Sequence, residues 1–141
     1  MTIHASCVAL GDVGVLILGA SGSGKSALSL QLMSLGASLV SDDRTVLDLV
    51  DGEILASPPA TIAGLIEARG VGVLYAHHIG SVPVRLVVDL NLTETQRLPV
   101  ARTTRLLEKE LPCLHKVEGP HFPAAILQYL KGGRRDPRDA T

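Results

Sequence analysis

The chain of 141 residues is long enough for one domain, and 46% apolar against 19% charged residues is the composition of a chain that builds a core. Thirteen Lys+Arg against 14 Asp+Glu give a net charge of −1, without the basic excess of a nucleic-acid-binding face, and 2% aromatics leave no stacking platform for bases. No run of 18 apolar residues offers a membrane span, Met1-Thr2-Ile3-His4 lacks the regions of a signal peptide, and two cysteines make neither a zinc site nor a disulfide framework. The expectation is a cytoplasmic protein, with no nucleic-acid or membrane partner, in which Cys7 and Cys113 are small buried hydrophobes.

In chain order, residues 3–10 form a β-branched and apolar run that ends at the turn signal Gly11-Asp12. Residues 14–18 are a continuous apolar run of strand length, the pattern of a strand buried on both faces. The segment 25–35 carries Leu28, Leu32 and Leu35 at helical spacing, and Gly36 follows as a stop. A short strand over 38–41 feeds Asp42-Asp43, and 46–50, Asp51-Gly52 and 53–56 read as a hairpin. Pro58-Pro59 breaks the pattern, and a short helix is expected near 62–68. Strands are expected at 70–75 and 84–90, and a helix at 123–130. The segment 103–117 is ambiguous, since Leu106, Leu107 and Leu111 suit a helix while its ends suit a strand. The fold class is α/β, with a mixed β-sheet flanked by helices. A single domain over 1–131 would be followed by a mobile basic tail over 132–141. The segment 131–141 holds four of the 13 positive charges, which leaves the body at about −3, so anion binding there needs a few placed cations.

The strongest motif is Gly19-Ala20-Ser21-Gly22-Ser23-Gly24-Lys25-Ser26, a complete G-x-x-x-x-G-K-S between a buried strand and an amphipathic helix. Its glycines let backbone N–H groups turn inward around phosphate oxygens, and the helix N-terminus adds partial positive charge. Lys25 would reach the β- and γ-phosphates of ATP, and Ser26 would offer its hydroxyl to Mg²⁺. Two apolar strands end in acids that could complete the site, Asp42-Asp43 and Asp89. Adjacent strand residues face opposite ways, so only one of Asp42 and Asp43 is expected to face the phosphates.

Taken together, these segments resemble the catalytic domain of HPr kinase/phosphorylase. His4 precedes the phosphate loop, Asp42-Asp43-Arg44 follows an apolar strand, and Pro58-Pro59 leads to Glu67-Ala68-Arg69-Gly70-Val71-Gly72, an E-x-R-G-x-G signature; Arg97-Leu98 comes later. The resemblance implies an ATP-dependent protein serine kinase that regulates carbohydrate and phosphotransferase-system metabolism, acting on HPr or an HPr-like phosphocarrier protein. It also implies a homo-oligomer, a hexamer in the family, in a short form without the family's N-terminal domain. By position, Ser26 and Glu67 would hold Mg²⁺, Asp43 would take the acceptor serine's proton, and Lys25, His4 and Arg97 would complete the catalytic group. Asp89 is then a strand-end residue.

Besides lacking the N-terminal domain, the chain departs from the family pattern in three places, one of them a shorter segment between Glu67 and Arg97. The Glu that usually follows the loop serine is Ala27, and the stretch tied to phosphorolysis reads Lys116-Val117-Glu118-Gly119, without its Arg. Transfer to serine is therefore expected to outrun phosphorolysis of the seryl phosphate. His77-His78 reads as a solvated pair rather than a metal site. The alternatives are a small-metabolite kinase with the same loop and a non-catalytic ATP sensor.

Overall fold

The computed structural model describes residues 1–137. Strands β1 (Thr2–Ile3) and β2 (Ala5–Leu10) lead through the Gly11-Asp12 turn into β3 (Val13–Leu18), which pairs antiparallel with β2 from Leu10–Val13 back to Ala5–Leu18. Helix α1 (Lys25–Ser34) follows and stops at Gly36, whose φ of 113° few other residues would accept. There the Gly36 N–H bonds the Met33 carbonyl and the Ala37 N–H bonds that of Leu32, closing the last turn. Strand β4 (Ser38–Ser41) then runs to the two acids. Strands β5 (Thr45–Val50) and β6 (Glu53–Ser57) form the expected hairpin, with Asp51 and Gly52 both at positive φ.

The helix expected near 62–68 is not there. A single 3₁₀ turn over Ala60–Ile62 gives way to a separate hairpin of β7 (Leu65–Ala68) and β8 (Gly72–Tyr75). Gly64, at φ 74°, breaks any helix at its third residue, and its carbonyl accepts the Ala76 N–H at 2.9 Å, closing the hairpin's base. Pairing then buries Ile66 and Ala68 while Glu67 between them faces out, a period of two. The ambiguous stretch resolves as strands β10 (Arg102–Leu106) and β11 (Lys109–Lys116), joined by Leu107-Glu108, both at positive φ. Helix α2 (Phe122–Gly132) closes the chain's described part. Of the expected tail, residues 138–141 lie outside the described residues; Gly132 ends the helix, and the Arg134 guanidinium donates to the Pro99 carbonyl.

One mixed sheet runs in the order β1-β5-β6-β9-β3-β2-β4, where β9 (Val82–Thr93) is its long central strand. One edge of β9 takes β3 in parallel; the other takes β6 near Val82 and then β11 in parallel from Val87 onward. The sheet curls because β9 serves two neighbours along one edge. Both helices lie on one face, over Val15, Ile17, Leu86 and Val88. The other face is closed by strands alone, where Leu16, Val40, Leu47, Ile54 and Val87 meet. Full burial of Leu28 or Leu32 in the helix layer stabilises by about 1.5–3 kcal/mol each. These two contacts fix α1, and with it the loop, against β3.

Candidate functional site

Loop residues 19–24 leave the end of β3 and enter α1 with Gly22 at φ 81° and Gly24 at φ 101°. Open space surrounds both, whereas a Cβ on Gly19 would meet the Ser23 hydroxyl at 2.2 Å, so Gly19 is required by packing. No side chain caps α1 and no acid sits in its first turn, which leaves its leading N–H groups for an anion. The Asn91 side chain accepts the Ala20 N–H at 3.0 Å and ties the loop to β9.

Lys25 folds back onto the loop. Its ammonium does not project into an open cradle: the side chain is only 4% exposed and donates to the Gly19 and Ala20 carbonyls at 2.7 and 3.2 Å. The cation thereby ties the two ends of the loop together.

The two acids also part from the expected strand geometry. Strand β4 ends at Ser41, and the chain turns within three residues as the Arg44 N–H bonds the Asp42 carbonyl at 2.8 Å around Asp43, at φ 67°. Such a turn is strained by roughly 1–3 kcal/mol and persists only where its surroundings hold it. It turns both acids toward the loop. Asp42 is buried; its Oδ1 accepts the Ser26 hydroxyl at 2.7 Å and the Ser6 hydroxyl at 3.2 Å, and its Oδ2 accepts the Glu67 N–H at 2.9 Å. Asp43 is 54% exposed; its Oδ1 lies 3.7 Å from Lys25 Nζ and 2.6 Å from His4 Nε2. Asp42 therefore serves as the buried tie of the site and Asp43 as its reachable carboxylate.

A cleft of about 660 Å³ opens over the loop, walled by Lys25, Ser26 and Asp43 on one side and by Glu67, Ala68, Arg69 and Val71 of the hairpin on the other. Lys25, Ser26, Asp43 and Glu67 thus meet at this cleft, with His4 bonded to Asp43 behind them. Arg97 does not line it. The Glu94 carboxylate grips the Arg102 guanidinium at 2.7 and 2.8 Å and accepts the Thr95 and Gln96 N–H groups, which pins the start of that segment beside β11. The Arg102 bond above all holds the Glu94 carboxyl down at about 2. Leu98 and Pro99, next to Arg97, line a second cavity with α2.

Asp89 is not a strand-end acid: β9 continues to Thr93, and its carboxylate accepts the Asn91 N–H at 2.9 Å. His77 and His78 are exposed, and the His78 ring packs against Gly64. Cys7 and Cys113 are buried as expected, and burial pushes the Cys7 thiol up to about 12. No helix among the described residues is long and apolar enough to cross a membrane. The sequence reading missed Ser6, Asn91 and the part played by Asp42. The only signal for Ser6 was a hydroxyl within the apolar run Ala-Ser-Cys-Val-Ala-Leu, where a buried polar group needs a partner.

Comparison with known proteins places the chain and its fold. The profile of the HPr Serine kinase C-terminal domain matches residues 1–108. The HPr kinase/phosphorylase of Xylella fastidiosa strain M12 is 36% identical over 106 residues, 70% of this chain and 34% of that protein. That of Thermoanaerobacter sp. strain X514 is 37% identical over 94 residues, 64% of this chain and 31% of that protein. The chain thus spans about a third of the length of these two relatives. Among solved structures, the Hpr(Ser) kinase/phosphatase from Coxiella burnetii superimposes with a TM-score of 0.78 at 26% identity, over 93% of this chain and 88% of that one.

Proposed function

The chain belongs to the HPr Serine kinase C-terminal domain family, and from that premise we propose that it transfers the γ-phosphoryl group of ATP to a serine hydroxyl of an HPr-like phosphocarrier protein. The observation that carries this reading is the place of Asp43, half exposed at the mouth of the phosphate loop between Lys25 and His4. A serine hydroxyl needs a positioned carboxylate to take its proton, while the phosphoryl group needs cations more than covalent help.

In the forward step the serine O–H bond breaks and its proton passes to Asp43. The serine oxygen bonds the γ-phosphorus as the bond to the β-γ bridging oxygen breaks, and ADP leaves. His4 holds the carboxylate in line, and Lys25 exchanges its two carbonyl partners for phosphate oxygens. The donor set fits magnesium, which takes one or two carboxylates and keeps water and phosphate oxygens in its shell. Ser26 and Glu67 would hold the ion, with Asp42 orienting the Ser26 hydroxyl, and when bound it would neutralise charge on the β- and γ-phosphates. Arg69 is the guanidinium that lines the cleft, and we assign it the charge-stabilising role that the resemblance gives to Arg97.

A protein acceptor is favoured over a small metabolite by the hairpin wall. Val71, Val73 and Tyr75 stand 75%, 66% and 94% exposed, and Val73 and Tyr75 share the hairpin face that carries Glu67. Such an apolar rim suits a macromolecular surface. Forward transfer outruns phosphorolysis because a second phosphate calls for another cation, and Lys116 is taken by Glu118 at 3.7 Å. The test is transfer of ³²P from [γ-³²P]ATP to an HPr-like protein, run beside a metabolite panel and the reverse reaction with millimolar phosphate. Asp43→Asn should keep Mg-ATP binding and lose roughly 10²–10⁴ in rate. Wild-type transfer to a metabolite rather than protein, or an Asp43→Asn variant as fast as wild type, would overturn the reading. Light scattering checks the homo-oligomer that the resemblance implies.

A further inference from the structure

We infer that the Ser6 hydroxyl is the positioning residue that holds Asp43 in its reactive geometry and couples it to Asp42. The inference deepens the proposed kinase reading and rests on it for the rate measurements only. Ser6 is fully buried on β2, a strand otherwise lined with Ala, Cys, Val and Leu. A hydroxyl in that setting must be satisfied by the protein itself. It is satisfied at both its functions: Oγ–H donates to Asp42 Oδ1 at 3.2 Å, and Oγ accepts the Asp43 backbone N–H at 2.9 Å.

One atom therefore touches the side chain of one acid and the backbone of the next. The Asp43 bond matters most, because Asp43 sits at φ 67° in the centre of a strained three-residue turn. Its own side chain, half exposed, cannot enforce that conformation. Other bonds hold the turn's flanks: Thr45 Oγ1 donates to the Ala5 carbonyl at 2.8 Å, and the Ser41 hydroxyl donates to the Arg44 carbonyl. At the centre the Asp43 N–H has Ser6. His4 lies two positions earlier in the chain and grips the Asp43 carboxylate, so one short segment holds both the backbone and the side chain of the base. Asp42 Oδ1 keeps its shorter bond from the Ser26 hydroxyl at 2.7 Å, so the loop hydroxyl retains its partner when Ser6 is changed.

Ser6→Ala removes the acceptor for the Asp43 N–H while leaving both carboxylates, His4 and Lys25 in place. The expected result is a fall in kcat of about 10–100-fold, with Mg-ATP affinity and the KM for ATP within threefold of wild type, in protein that still unfolds cooperatively. Ser6→Thr restores the hydroxyl and should recover most of the rate; Ser6→Cys, close to Ser in size, serves if the extra methyl of Thr prevents folding, and should fall between. Amide hydrogen exchange at Asp43, read by NMR without nucleotide, should quicken at least tenfold in Ser6→Ala relative to neighbouring β4 amides. This last measurement needs no turnover. If wild type transfers nothing to an HPr-like protein, the kinase reading fails while the exchange data still decide the role of Ser6. A Ser6→Ala variant with kcat within twofold of wild type, a parallel loss of ATP affinity and kcat, or unchanged exchange at Asp43 would each overturn the inference.

Discussion

Replacing Asp42 by Asn should unfold the protein more readily, although the change alters neither size nor shape. Asp42 is buried and its two oxygens accept three hydrogen bonds, from the Ser26 and Ser6 hydroxyls and the Glu67 N–H. An Asn can keep its oxygen toward the two serines, but its NH₂ then confronts the Glu67 N–H, donor against donor. A hydrogen bond to a charged group is worth about 1.5–3 kcal/mol and a neutral one about 0.5–1.5, so the two serine bonds weaken by roughly 1 kcal/mol each and the third is lost outright. Relief of the buried charge offsets part of this, leaving a net cost of about 3 kcal/mol. For a chain of this size that lowers Tm by about 10 °C. Thermal melts and urea titration of the nucleotide-free protein read it directly, with Asp48→Asn, at an exposed position of β5, as the control. A Tm for Asp42→Asn within 2 °C of wild type would show that Asp42 is not the tie between loop, strand and hairpin.

Lys25→Ala should cost about 2–3 kcal/mol in stability besides abolishing tight Mg-ATP binding, because two charged hydrogen bonds to loop carbonyls go with it; calorimetry and urea titration measure the two effects separately. Glu108→Gly should stabilise by about 0.5–1 kcal/mol, since relief of an exposed left-handed residue at φ 63° outweighs the added freedom of the unfolded chain; a higher urea midpoint at unchanged slope would show it. Glu94, held at about 2 chiefly by Arg102, contributes stability that is complete above its unfolded value near 4.5 and is lost as pH falls toward 2. Discounted for solvent around Arg102, that is about 1–2 kcal/mol, so wild type should lose this much more than Glu94→Gln between pH 5 and 2.5 in urea titrations.

What could be read from the sequence had local causes. The strand 14–18, the loop glycines and the Leu28–Leu32 spacing each determine their own geometry, and the Asp51-Gly52 turn carries its conformation in two residues. The helix expected near 62–68 failed because a period of two over four residues looks like a fragment of helix, and Gly64 acts there as a hairpin base. The ambiguity at 103–117 arose because Leu107-Glu108 turns the chain without Gly or Asn; Leu107 packs against the strand-lined core, which supplies what the turn residues do not. Of the site, Lys25, Ser26, Asp43 and Glu67 were legible from motif and resemblance. The work of Asp42 was not, because alternation assigns it the face opposite Asp43, and only the tight turn after Ser41 cancels that alternation. Arg97, which the resemblance assigns to the site, lies off the cleft lining, next to residues that line the second cavity.

The central position of β9 sets the order in which the molecule can assemble. The phosphate loop hangs from β3, yet the strand that covers the free edge of β3 is Val82–Thr93, more than sixty residues later in the chain. Until that stretch has left the ribosome, Val15, Leu16 and Ile17 present an unpaired apolar edge, the kind of template on which chains associate wrongly. The parallel pairing of β3 with β9 then closes a long loop in one step, which makes it slow compared with the β5–β6 hairpin. A fragment cut before residue 82 holds every residue of the 19–24 loop without the strand that pairs with β3, so the loop's shape is fixed late in synthesis and all at once.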